Sequence, residues 1–114
     1  MVTRTAGQAF SALRVGYESQ GKVYLLDPTD PASDAVHALI GLSTVAAAQD
    51  AEVTLQTMGT IDDSGWSWSE GLVFLGPNGT LTQTAPSTGW EVVVGWAPSA
   101  TRLNLNFSEP VLLG

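Results

Sequence analysis

His37 is the only histidine in the sequence, so a serine nucleophile activated through a histidine and an aspartate would have to be built around it. It stands within the apolar run 36–42 and no second feature joins it, which makes it a structural histidine, partly buried in a strand. Gly65-Trp66-Ser67-Trp68-Ser69 follows a nucleophile elbow for four positions, then has serine where the second glycine is needed. The residues after it do not form a helix, and the elbow is rejected. Asp27, Asp30 and Asp34 crowd one proline-rich loop, and Asp62 and Asp63 another. Oxygens at that density suit calcium, but the alternating spacing and the glycine of a calcium loop are missing. Aspartates that bond their own loop backbone are expected instead. Glu70 with Glu91 would make a glycosidase pair, a pairing that any acidic protein offers. No catalytic residue, metal ligand or cofactor is assigned.

Trp66 and Trp68 are the side chains with most to explain, because alternation puts both indoles on one face of an extended segment. A plug in the core or in a subunit interface is the principal reading. A stacking platform for sugars is the alternative, and a partner contact is a third use.

The elements that must position these residues repeat at an offset of fifty. Gly21-Lys22-Val23-Tyr24-Leu25 matches Gly71-Leu72-Val73-Phe74-Leu75, and Glu52-Val53-Thr54-Leu55-Gln56 matches Arg102-Leu103-Asn104-Leu105-Asn106. Between them lie Ile40-Gly41-Leu42 and Val94-Gly95-Trp96 at nearly the same spacing. The repeat predicts two related β-units and a protein that works through its surface and assembly.

At 114 residues there is room for one domain with a core just large enough to fold without metal or disulfide staples. The sequence has no cysteine, which removes a thiolate nucleophile and zinc-thiolate sites. Residues 1–10 lack the apolar core of a signal peptide, and no run is long enough to span a bilayer, so a soluble chain made in the cytoplasm is expected. A formal charge of -7 opposes a polyanion along the surface, so neither nucleic acid nor membrane is an expected partner. Only 13% of residues are charged, which leaves Ser, Thr, Asn and Gln to cover the solvated faces.

Along the chain, residues 1–10 are small and polar, with Val2 and Phe10 as their large apolar anchors. They read as an extended arm (1–11) ahead of a single β-domain (12–114). Strands are expected at 13–17 and 22–26 around the turn Glu18-Ser19-Gln20-Gly21. Further strands are expected at 36–42, and at 52–57, where Val53 and Leu55 share one face. Residues 71–76 and 80–84 flank Pro77-Asn78-Gly79, where Asn-Gly suits the positive φ angles of a hairpin. Residues 90–96 and 101–107 form a last hairpin around Ala97-Pro98-Ser99-Ala100. Pro110 leaves Val111-Leu112-Leu113 as an edge strand or a docking arm. The fold class is all-β: a small barrel or sandwich of about eight short antiparallel strands with a two-fold internal pseudo-repeat and an extended N-terminal arm.

From about residue 12 to the C-terminus the chain resembles small virion proteins of tailed bacteriophages, the capsid decoration, cement or head-fibre family. The resemblance is carried by Lys22-Val23-Tyr24-Leu25-Leu26-Asp27-Pro28, Ile40-Gly41-Leu42-Ser43-Thr44 with the alanine run after it, and Gly65-Trp66-Ser67-Trp68. It continues through Leu75-Gly76-Pro77-Asn78-Gly79-Thr80-Leu81-Thr82-Gln83-Thr84 and Ser99-Ala100-Thr101-Arg102-Leu103. Trp96-Ala97-Pro98 departs from the smaller, more aliphatic pattern expected after Val94-Gly95. The resemblance implies a β-rich, non-enzymatic accessory protein, often a homotrimer, that binds the major capsid protein on the exterior of the virion. The alternatives are a tail-fibre or baseplate module binding host glycans through Trp66 and Trp68, and a small glycan hydrolase. Val2, Arg4, Phe10, Trp66, Trp68, Trp96, Val111, Leu112 and Leu113 are the expected partner or oligomer contacts. Val2 and Phe10 would fill grooves on a neighbour, with Arg4 reaching an acceptor there, and deleting the arm would leave the β-domain folded.

Overall fold

Between Ser19 and Lys22 the chain reverses in two residues, with Gln20 and Gly21 at φ 51° and 81°. That geometry follows the right-handed twist of the strands it joins. It links β2 (Val15–Ser19) to β3 (Lys22–Leu25) in a hairpin where the sequence predicts one. A computed structural model describes residues 1–113, so Gly114, the end of the expected domain, lies outside the described residues.

Among the described residues there are twelve strands, so the all-β class is borne out. The others are β1 (Val2–Ala6), β4 (Leu39–Ser43), β5 (Glu52–Gln56), β6 (Met58–Asp62), β7 (Gly71–Leu75), β8 (Leu81–Thr82), β9 (Gly89–Glu91), β10 (Val93–Ser99), β11 (Arg102–Asn106) and β12 (Val111–Leu113). Strands β1 to β5 close into a barrel in the order β1-β3-β2-β4-β5, and β6-β11-β10-β7-β8 form an open sheet. A two-stranded ribbon pairs β12 with β9. All the pairings are antiparallel except β1 with β3.

The N-terminal arm is corrected to a barrel strand. β1 runs parallel to β3 and antiparallel to β5, with Val2 opposite Leu55 and Ala6 opposite Val23, so it supplies the pairing both neighbours would otherwise lack. Phe10 is 3% exposed and packs with Ala6, Val23, Val53 and Leu55 inside the barrel, while Val2, Leu25 and Ile40 close around them. A five-stranded barrel is narrow. A Cβ on Gly16 would stand 2.6 Å from Val23 and 3.2 Å from the Phe10 ring, so one phenyl and its aliphatic neighbours fill the lumen. The low apolar content of residues 1–10 therefore reflects the space available and not disorder.

A second cluster lies between the barrel wall and the open sheet. Val15 and Leu42 come from β2 and β4, with Leu26 just beyond β3; they meet Val73, Leu75, Val94, Leu103 and Leu105 from the sheet's inner face. Val92 lies in this cluster at the point where the chain leaves the ribbon (β9) and enters the sheet (β10), which divides the expected strand 90–96. Ser43 is fully buried and clamps the barrel wall: its hydroxyl donates to Ser11 O at 2.8 Å and accepts from Arg14 N at 3.0 Å.

The pseudo-repeat holds only in part. β4 pairs with β5 as β10 pairs with β11, but β2 separates β3 from β4 whereas β7 pairs directly with β10. In the expected strand 36–42, residues Ala35–Ala38 form a 3-10 turn and β4 begins after it. The last hairpin turns at Ala100-Thr101, because a register shift between Trp96 and Ser99 lets β10 absorb Pro98, which has no N–H to donate.

Candidate functional site

Alternation along β11 buries Leu103 and Leu105 and turns Arg102, Asn104 and Asn106 outward. The register then aligns Thr60, Asn104, Trp96 and Leu72 in one row across the outer face of the open sheet. Trp96 is 46% exposed and Leu72 44%, and Met58 on the edge strand is 71% exposed. These large apolar side chains stand in water on a regular sheet, where isolated exposure would be unremarkable but a cross-strand pair forms a surface. The polar members of the row are fixed, because Thr60 Oγ1 donates to Asn104 Oδ1 at 2.9 Å. Beside Trp96 and Leu72 an open groove of about 500 Å³ runs over Phe74, with Ser69, Glu70 and Gln83 at its sides. Gln83 is held by two hydrogen bonds to the Ser69 backbone, at 2.9 and 2.6 Å.

The strand charges on this face cancel. Arg102 Nε lies 2.8 Å from Asp62 Oδ1, and its Nη2 donates to Oδ2 at 3.3 Å. The hydrogen bond to Arg102 is the main cause that holds the Asp62 pKa below the ordinary carboxylate value, and the same bond raises that of Arg102. The barrel surface carries ion pairs as well, with Arg4 Nε on Glu18 at 3.1 Å and Lys22 Nζ on Asp50 at 3.0 Å. The bond to Asp50 raises the Lys22 pKa.

The expected contact residues separate into distinct places. Trp96 stands on the outer face. Trp66 and Trp68 form a tilted ring pair with centroids 5.4 Å apart, on one face of their segment as expected, and both pack against the core between barrel and sheet. Backbone bonds from Trp66 N to Asp63 O (3.2 Å) and from Trp68 N to Ala100 O (2.9 Å) pin that segment along the last hairpin. Val111 and Leu112 are 54% and 51% exposed on β12, so the tail is a paired strand with an exposed apolar side chain on each face, and Leu113 is half-buried. The roles given to Val2, Arg4 and Phe10 in docking to a neighbour are corrected, since the barrel core takes Val2 and Phe10 and Glu18 of the same chain takes Arg4. Sequence reasoning named Trp96 and paired its strand with β11 through the last hairpin, but missed Leu72 and Thr60, because nothing local signals that β7 and β6 flank that hairpin.

Several of the chemistry-bearing side chains have structural partners. Asp27 Oδ1 accepts from Thr29 N at 3.0 Å and Asp30 Oδ1 from Ala32 N at 2.9 Å; Asp63 Oδ1 accepts from Gly65 N at 2.8 Å. These are the loop-bonding aspartates expected from the sequence. His37 is exposed on the 3-10 turn and not in a strand, with its ring edge-on to Trp90 at 5.3 Å. The indole N–H groups of Trp68 and Trp90 are buried without an acceptor among the described residues. Among those residues no helix is long and apolar enough to cross a membrane. In comparisons with known proteins, no family model and no curated protein matches this chain.

Proposed function

We propose that this chain is a non-enzymatic structural protein of a tailed-bacteriophage virion, bound to the major capsid protein on the capsid exterior as a decoration protein and self-associated as a homotrimer. The observation that carries the reading is the outer face of the open sheet. In a chain of net charge -7, this face sets Trp96 beside Leu72, and its one arginine and one aspartate neutralise each other. The strand charges of such a face need no partner when it meets another protein surface, and Glu70, at the side of the groove, stands ready for a basic group there. The molecule is a slab with extents of 36 × 35 × 18 Å, a shape that gives a small chain a broad contact area on a shell. The resemblance of residues 12 onward to decoration and head-fibre proteins supports the same role. Synthesis in the host bacterial cytoplasm and incorporation into the virion follow from it.

The test is to mix the purified protein with undecorated heads and measure occupancy, alongside Trp96→Asp. Trp96 projects into solvent, so the variant should fold normally yet lose attachment. Copies of the chain should be spread over the head in purified particles. Confinement of a few copies to the tail would overturn the proposal, as would undiminished attachment of Trp96→Asp.

A further inference from the structure

A cleft of about 350 Å³ opens on the other side of β7, between the proline loop after β3, the turn at Pro77 and the loop that leads into β9. Its apolar wall is built from Pro28, Pro77 and Trp90 among others, and none of the described residues that line it is charged, although the chain has eleven acidic side chains. The loop 84–88 adds Thr84, Ser87 and Thr88, which are exposed and whose hydroxyls make no hydrogen bond among the described residues. Two of its walls are fastened together. Trp90 N donates to Pro28 O at 2.9 Å, and Gly89 (φ 75°) brings its backbone so close to the loop that a Cβ there would stand 2.5 Å from Pro28 O and 3.0 Å from Thr29 O. Leu112 of β12 stands opposite Trp90 in the register of the ribbon.

A preformed site with an aromatic and proline wall, a rim of free hydroxyls and no charge selects for a ligand with one apolar face and several neutral hydrogen-bonding groups. It offers no cation to a phosphate or carboxylate and no carboxylate to an amine. We propose that this cleft binds a neutral saccharide unit, whose C–H face packs on the Trp90 wall while its hydroxyls meet Thr84, Ser87 and Thr88. The site is separate from Trp66 and Trp68, which pack on the core, and from the outer face around Trp96. It gives the protein a glycan contact independent of its attachment to a shell.

The experiment uses the full chain labelled with ¹⁵N and titrated with glucose, galactose, rhamnose, N-acetylglucosamine and their neutral disaccharides. At least one should give saturable shifts at the Trp90 indole and the Thr88 amide, with Kd in the millimolar range typical of a few hydrogen bonds and one stacked face. The variant Thr84→Val/Ser87→Ala/Thr88→Val changes exposed loop side chains only. It should retain the wild-type spectrum elsewhere and bind about tenfold more weakly or worse. The proposal is overturned if no neutral saccharide moves these signals, if the triple variant binds as wild type does, or if only charged sugars or proline-rich peptides bind. Head attachment is measured separately and is expected to be unaffected by the triple variant, so failure here and failure of the decoration reading are distinguishable.

Discussion

In the barrel each strand is paired on both sides, whereas the sheet beside it ends in two open edges, β6 and β8. Closure removes unsatisfied backbone groups from the barrel and confines its interior to Phe10 and aliphatic side chains. The sheet has one face on the core and one in solvent, and the solvent face carries Trp96 and Leu72. One half thus acts as a rigid frame and the other as a presenting surface. The exposed edge is partly covered as well: Gln56, at the end of β5, donates its Nε2 to Met58 O at 2.9 Å and to Thr60 O at 3.4 Å. A side chain of the barrel therefore occupies carbonyls that a further strand would use.

The largest effect should come from deleting residues 1–6. This opens the β3 and β5 edges and exposes Leu55 and Phe10, so the cooperative thermal transition should be lost, a change on the order of the whole stability of a domain, about 5–15 kcal/mol. A truncated chain that still melts cooperatively would mean that the barrel does not depend on β1. Next is Gly79→Val. Gly79 has φ 76° at the tip of the β7–β8 hairpin, and a Cβ there would run into the carbonyl oxygen of Val15 in β2, so the substitution strains the turn and wedges sheet from barrel together. A loss of roughly 2–3 kcal/mol is expected in urea unfolding. Gly21→Ala, at a positive φ but with open space around it, should cost only about 1 kcal/mol.

Gln56→Ala tests the covered edge. The stability change should be about 1 kcal/mol. Sedimentation should reveal association beyond the wild-type state, through the freed β6 carbonyls; unchanged sedimentation would show that the edge needs no cover. The smallest effect is electrostatic. The folded-state pKa of Asp62 is lowered by Arg102, so the contribution of the pair is complete above the ordinary carboxylate pKa and is lost as pH falls through the lowered one. An NMR titration of the Asp62 carboxyl should find its midpoint below 3.8 and return it toward that value in Arg102→Gln.

Which parts of this comparison were legible in the sequence follows from how local each signal is. The β2–β3 turn, the Asn78-Gly79 hairpin and the alternation of Val53 and Leu55 are set by neighbours in sequence, and each appears where expected. The repeated segments also become strands. Their arrangement does not follow, because β2 inserts between two members of the first set. β1 was hidden because a narrow lumen favours Ala6 over a larger residue, which removes the apolar alternation that marks a strand. The contact surface was legible in kind and not in place. Trp66-Ser67-Trp68 stands out in the sequence and lies on the core, whereas Trp96 gains its apolar neighbour from Leu72 of β7, which no local signal pairs with β10.

The pairing of Val2 with Leu55 also sets an order of events during synthesis. Strand β1 leaves the ribosome ahead of β5 and cannot take its final partner until some fifty further residues have emerged, a delay of a few seconds at about 5–20 residues per second. Through that interval the hairpin of β2 and β3 can form, because its two strands are adjacent in sequence, and its parallel edge offers β1 a first place to dock. The ring closes when β5 arrives. A slow-codon stretch or a bulky N-terminal fusion would therefore act on the yield of folded protein more than on the stability of the finished barrel.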